Sequence, residues 1–197
     1  MLESIICFTL PIVLGLVIDA RLMDYEIKKS LRKAERYIDE GIDEGNLEKI
    51  QIALKVFQGL KKSSKEELLL GILDREGLCY EELGELELAG RSYKEGFKKS
   101  KSEEDKSWFR RKWICVDSTR LRKRNKFSLA VRILKGVLEN DLSYPRFHWL
   151  LAEIYSDQGE YNLVLEELDK FIDLERNLRN KATAFLKKGL SGKKRVI

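Results

Sequence analysis

Proline is almost absent from this chain: of 197 residues only Pro11 and Pro145 are proline, and only His148 is histidine. With so few breakers and a composition dense in Lys, Glu and Leu, long helices are favoured and a sheet is not. Cysteine is equally sparse. Cys7, Cys79 and Cys115 are odd in number, far apart and without a Cys-x2-Cys pair. That argues against a disulfide framework and a zinc site, and leaves each thiol as a small apolar side chain in a reducing compartment. Missing too are a glycine-rich phosphate loop after a strand, a nucleophile elbow and a cluster of metal ligands. The many carboxylates follow helix-surface spacing. No catalytic residue, cofactor or metal is therefore expected, and the chain reads as a non-enzymatic all-α protein.

What the chain has is a recurring phrase, clearest in Gly77-x2-Tyr80-x3-Gly84-x-Leu86-x2-Ala89-x3-Tyr93-x2-Gly96-Phe97. It returns with every gap preserved as Ala152-x2-Tyr155-x3-Gly159-x-Tyr161-x2-Val164-x3-Leu168-x2-Phe171-Ile172, and again from Ser118 through Asn125 to Leu138. A weaker copy runs Gly41-x3-Gly45-x-Leu47-x2-Ile50-x3-Leu54-x2-Phe57. Gly or Asn at 45, 84, 125 and 159 stands where a helix ends in a left-handed residue, so each marks a turn between two antiparallel helices. The apolar steps of three and four that follow place one stripe on a second helix. Small residues at 77, 118 and 152, and at 89 and 130, allow close helix approach. Four copies exceed the roughly three that a stacked array needs for a continuous core.

The phrase resembles the tetratricopeptide repeat, whose signature is met in part by Leu73-x2-Glu76-Gly77-x2-Tyr80 and His148-x2-Leu151-Ala152-x2-Tyr155. The resemblance covers residues 31–178 and implies an α-solenoid of about four helix-turn-helix repeats, at 31–64, 65–103, 104–144 and 145–178 within an array spanning 23–190. A carboxy-terminal capping helix is expected at 179–190 and a basic tail at 191–197. The turn residues lie 39, 41 and 34 apart. Ser64-x2-Glu67 and Ser102-x2-Asp105 read as early helix starts, so the first helices of repeats two and three should be long. In copy one Ile38 occupies the small-residue slot, with Ala34 and Tyr37 as the alternative register. His148 occupies the bulky core slot that the family fills with Trp, which gives it a packing role.

Residues 1–22 lie outside the repeats. Ser4 to Ile18 is uncharged and mostly apolar, about 22 Å long as a helix against a hydrocarbon core of about 30 Å. It reads as a membrane anchor, with a helix packed on the first repeat and a cleaved signal peptide as alternatives. Arg21, Lys28, Lys29, Arg32 and Lys33 follow, so an anchor would leave the repeats in the cytoplasm. The alternative localisation is cytoplasmic and soluble.

The resemblance further implies that the first helices line a groove for a protein partner's segment. Its expected residues are Arg32, Glu35 and Asp39; Asp74, Leu78 and Glu81; Lys112, Cys115, Thr119 and Arg122; and Arg146, Trp149 and Glu153. Leu78, Cys115 and Trp149 form an expected apolar floor with Trp149 as its anchor; the bland reading packs Trp149 against helix 179–190. The acidic first half of this groove lacks the Lys and Asn clamp that chaperone-binding members use.

The net charge of +5 hides segregation: residues 108–126 and 179–197 each carry +7, leaving −9 elsewhere. Arg110, Arg111, Lys112, Arg120, Arg122, Lys123, Arg124 and Lys126 form a basic patch interleaved with Trp108, Phe109 and Trp113. This admits nucleic acid as an alternative partner. Helical spacing, however, spreads the charge around the helix. Pairing with Glu81, Glu82, Glu85 and Glu87, or plain solvation, are the competing readings.

Overall fold

The computed structural model describes residues 25–63, 66–141 and 143–193. Among these the regular structure is helical: α1 (25–44), α2 (Leu47–Ser63), α3 (Glu66–Glu82), α4 (Leu86–Lys99), α5 (Glu103–Lys123), α6 (Phe127–Leu138), α7 (Pro145–Gln158) and α8 (Tyr161–Lys193). They form two compact units, one up to Ser102 and one from Glu103. The all-α class and the helix-turn-helix repeat expected from the sequence are what the structure shows.

Each turn is built by the residue that marked it. Gly45, Gly84, Asn125 and Gly159 have φ of 64°, 75°, 56° and 77°, the left-handed region that Gly and Asn enter at least cost. In all four turns the next residue's N–H donates back to a carbonyl five residues earlier: Asn46 to Gly41, Glu85 to Tyr80, Lys126 to Leu121 and Glu160 to Tyr155, at 2.7 to 2.9 Å. This is the six-to-one bond of the Schellman motif. The four acceptors are the equivalent positions of the repeated phrase, so Gly45 fixes the register of copy one. In that copy Ala34 and Ile38 are both buried, and the tight approach comes at Gly41, where a Cβ would lie 2.7 Å from Ile50 Cγ1. In the second hairpin the tight approach comes at Gly77, beneath the ring of Tyr93.

The first unit packs α2 on α3 and α3 on α4. Its core joins Ala34, Ile38, Ile50, Ala53, Leu54, Phe57, Ile72 and Cys79. Burial of the larger members contributes about 1.5 to 3 kcal/mol each. Polar ties reinforce it. The Lys61 ammonium donates to Glu76 at 3.0 Å and Glu95 at 2.8 Å, while Ser92 Oγ donates to Glu76 at 3.0 Å, so a buried carboxylate is satisfied from α2 and α4 together. The Cys79 thiol is pushed up to about 12, chiefly by burial, which keeps it protonated and inert near neutral pH.

The second unit packs α5 on α6 and α7, and α7 on both α6 and α8. Its core is Cys115, Ala130, Leu134, Leu138, Phe147, Leu150, Leu151, Ile154 and Tyr155. The first helices of repeats two and three have 17 and 21 residues against 14 for α7. Of the two expected early starts, Ser102 directly precedes α5, and Ser64 lies outside the described residues.

One boundary differs from the sequence reading. No separate capping helix begins at 179: α8 is a single 33-residue helix from Tyr161 to Lys193. No glycine or proline occurs between Glu160 and Lys188, so nothing in the local chemistry stops the helix at 178. The expectations for residues 1–22, including the apolar Ser4–Ile18, and for 194–197 of the basic tail lie outside the described residues. No helix among the described residues is long and apolar enough to cross a membrane.

Candidate functional site

In the second unit α5, α7 and α8 enclose an open cleft of about 660 Å³. Helix α5 contributes Thr119, Arg122 and Lys123 from its last turns. Helix α7 and the residue before it contribute Tyr144, Pro145, Arg146, Trp149, Leu150 and Glu153, and α8 adds Phe171 and Glu175. Pro145 at the first position of α7 fixes the entry of that helix, where its missing N–H costs nothing. Arg146, Trp149 and Glu153 then recur at three- and four-residue steps on one face.

Trp149 is the prominent apolar group at this cleft. It remains 45% exposed while its ring stacks at a tilt on Phe171, with centroids 5.4 Å apart. It does pack on the last helix, but at Phe171, upstream of 179–190, and that packing leaves nearly half of it open. Flanking residues Phe147, His148, Leu150 and Leu151 are buried.

Arg122 sets the electrostatics of the cleft. Its guanidinium bonds Glu153 at 2.9 Å and spans both oxygens of Asp157 at 2.6 and 3.2 Å, tying α5 to α7. The Asp157 bond, opposed by partial burial, raises the Arg122 pKa further, and the same bond holds Asp157 below the usual carboxylate range. Arg122 therefore acts first as a clamp between helices. The cations Lys123 and Arg146 together with the carboxylates Glu153 and Glu175 leave the lining mixed in sign.

Of the thirteen groove residues expected from the sequence, Thr119, Arg122, Arg146, Trp149 and Glu153 meet in this cleft. Cys115 does not. At 1% exposure it belongs to the core, because the helical step that was to carry it to the floor instead points it at α6 and α7. Thr119 Oγ1 donates to the Cys115 carbonyl at 2.9 Å. Leu78 packs against the first unit's core instead of forming an open floor. Elsewhere in that unit Glu35 lies 3.5 Å from Arg75, and Glu81 accepts from the Tyr93 hydroxyl at 2.6 Å. Arg32 and Asp39 are exposed and Asp74 is half-buried.

The basic patch is partly neutralised within its own unit. Arg111 forms a forked pair with Asp141 at 2.5 and 2.8 Å, Arg120 bonds Asp117 at 2.6 Å, and Arg122 is paired as above. The half-buried Lys112 lies 5.2 Å from the Trp108 ring centroid. Burial works to raise the Asp141 pKa, but the Arg111 fork and the Ser143 hydroxyl outweigh it and hold it below the ordinary value. Arg110, Lys123, Arg124 and Lys126 are exposed. Within the second unit Arg111, Arg120 and Arg122 are thus paired with carboxylates of α5, α7 and the turn before α7.

Sequence reasoning missed Tyr144, Phe171 and Glu175 as lining residues. For Phe171 the repeat gave no clear signal: the equivalent slots hold Phe57, Gly96 and Val137, and Phe57 there is a core residue. It also missed the partner of His148, whose Nδ1 lies 2.6 Å from Glu167 Oε2 with both residues buried.

No protein-family model matches this sequence, and no curated protein matches it. Solved structures of MamA show partial likeness. A MamA RS-1 ArsTM double mutant is 18% identical with a TM-score of 0.44, covering 73% of this chain and 76% of that one. The fragment 41-end of MamA from Desulfovibrio magneticus RS-1 is 19% identical with a TM-score of 0.45 over the same shares. A further MamA crystal structure is 17% identical with a TM-score of 0.42, covering 80% and 94%. All three scores fall below 0.5, so the fold and the cleft rest on this chain's own geometry.

Proposed function

We propose that the protein is a helical-repeat scaffold that binds a segment of a protein partner in the α5–α7–α8 cleft. The observation that carries this reading is Trp149, a large aromatic left 45% exposed over Phe171 where its flanking residues are buried. A half-open aromatic beside a concave, mixed-charge lining has the make-up of a binding hot spot. Thr119, Arg146 and Glu153 would orient the segment's backbone and polar groups. The pairing of Arg111, Arg120 and Arg122 with carboxylates reduces the charge offered to phosphates, so the nucleic-acid reading ranks second.

A photo-reactive amino acid placed at 149 in the native host tests this. It should cross-link one defined protein segment, whereas the same group at exposed Gln51 on α2 should not. Equal labelling from both positions, or none from 149, would contradict the reading. Tethering to a membrane through Ser4–Ile18 is part of the proposal. It rests on fifteen uncharged residues followed by Arg21, Lys28 and Lys29. Retention in membranes through high-salt and carbonate washes is the expected result, and release by salt alone would count against an inserted anchor.

A further inference from the structure

Two groups at the cleft are left with room for a partner, and they differ in chemistry. Trp149 offers the open part of its ring beside Phe171. Glu175 follows Phe171 by four residues, which sets it on the same face of α8, about 6 Å further along the axis. It lines the cleft and is half-buried, and among the described residues no cation pairs with it. The other charges of the cleft are paired or open to water. Arg122 and Glu153 hold each other at 2.9 Å, while Lys123 and Arg146 are exposed, where water satisfies a cation. On α8 itself Arg176 lies 3.9 Å from Asp173. Arg179 stands four residues after Glu175, and a pair at that spacing on an exposed face contributes too little to keep Glu175 from a better partner. A half-buried carboxylate has lost part of its hydration, and a cation from outside the chain restores it.

Resting on the reading of this cleft as the seat of a protein segment, we infer that the segment presents a basic side chain, arginine in preference to lysine, to Trp149, Phe171 and Glu175. A guanidinium is flat and weakly hydrated. It lies against the open part of the indole, where the ring quadrupole attracts it, and forks onto the two carboxylate oxygens of Glu175. Lysine supplies the charge without the fork. An acidic side chain in the same place meets the negative faces of aromatic rings and a second carboxylate. The net charge of +5 draws acidic peptides to the chain without specificity. Selection of a basic residue is therefore the opposite of what bulk charge produces, and reports on the cleft.

Retention of synthetic peptide mixtures by the detergent-solubilised full chain tests this. Each mixture consists of nonapeptides of random sequence with one fixed central residue: arginine, lysine, glutamine or glutamate. The wild-type chain should retain the arginine mixture about tenfold more than the glutamine mixture, with lysine between them and glutamate least. Glu175→Gln should cut the arginine preference to about twofold, the part that the aromatic ring alone supplies. Glu175→Arg should turn the preference toward glutamate, an inversion that a merely structural role for Glu175 does not produce. Equal retention of the mixtures, no retention of any, a wild-type preference for glutamate, or an arginine preference that survives in Glu175→Gln overturns the inference. The segment reading is judged separately, by whether position 149 cross-links a protein segment at all.

Discussion

A methyl group on Gly77 would lie 2.4 Å from Tyr93 Cε1, whereas one on Gly71, six residues earlier in the same helix, would meet nothing within 4 Å. Tyr93 is fully buried and its hydroxyl is held by Glu81, so the ring has no room to retreat. Gly77→Ala should therefore destabilise the protein by about 1 to 3 kcal/mol, and Gly71→Ala should stabilise it by about 0.4 to 1 kcal/mol by restricting the unfolded chain. Urea unfolding of the two variants checks both signs. Asp141 shows how pH enters. Its pKa lies below 3.8 when folded, so the unfolded chain takes up the proton more readily. The stability it contributes is complete above that value and is lost as pH falls through the folded one. Asp141→Asn should cost about 1 to 2 kcal/mol at neutral pH, with the difference shrinking below pH 3.8; thermal melts across that range report it. The small-residue slot at 77 was legible because the phrase repeats. The Asp141 fork was not, since Arg111 and Asp141 are thirty residues apart and no local period links them.

At the scale of elements, the turns were the most legible part. Gly45, Gly84, Asn125 and Gly159, which the repeated phrase marks as turn residues, all proved to be left-handed Schellman turns. The end of α8 was misread because family spacing was used where the chain offers no breaker. The face on which Cys115 falls was misread because α5 has apolar and polar residues all round, which leaves its spacing without a preferred side. Helices α7 and α8 also share a polar bond that no pattern disclosed, His148 with Glu167, which Lys170 approaches at 3.1 Å. His148→Leu should cost about 1 to 3 kcal/mol by removing one of the two partners of the buried Glu167 side chain, and adding Glu167→Leu should recover part of that. A double-mutant cycle by denaturant unfolding measures the coupling.

On the scale of the whole chain, two basic segments of +7 stand against −9 elsewhere, and in the second unit part of that positive charge is spent on clamping α5 to α7 and to the turn before it. What the clamps hold open is the cleft around Trp149. The central claim is that this cleft binds a protein segment through that side chain. The direct measurement is the affinity, by titration calorimetry, of the segment cross-linked from position 149 for the wild-type chain and for Trp149→Ala. The account predicts a loss of about tenfold or more in the variant, with the thermal unfolding midpoint little changed because the indole is half exposed. Equal affinity in a folded Trp149→Ala protein would contradict it.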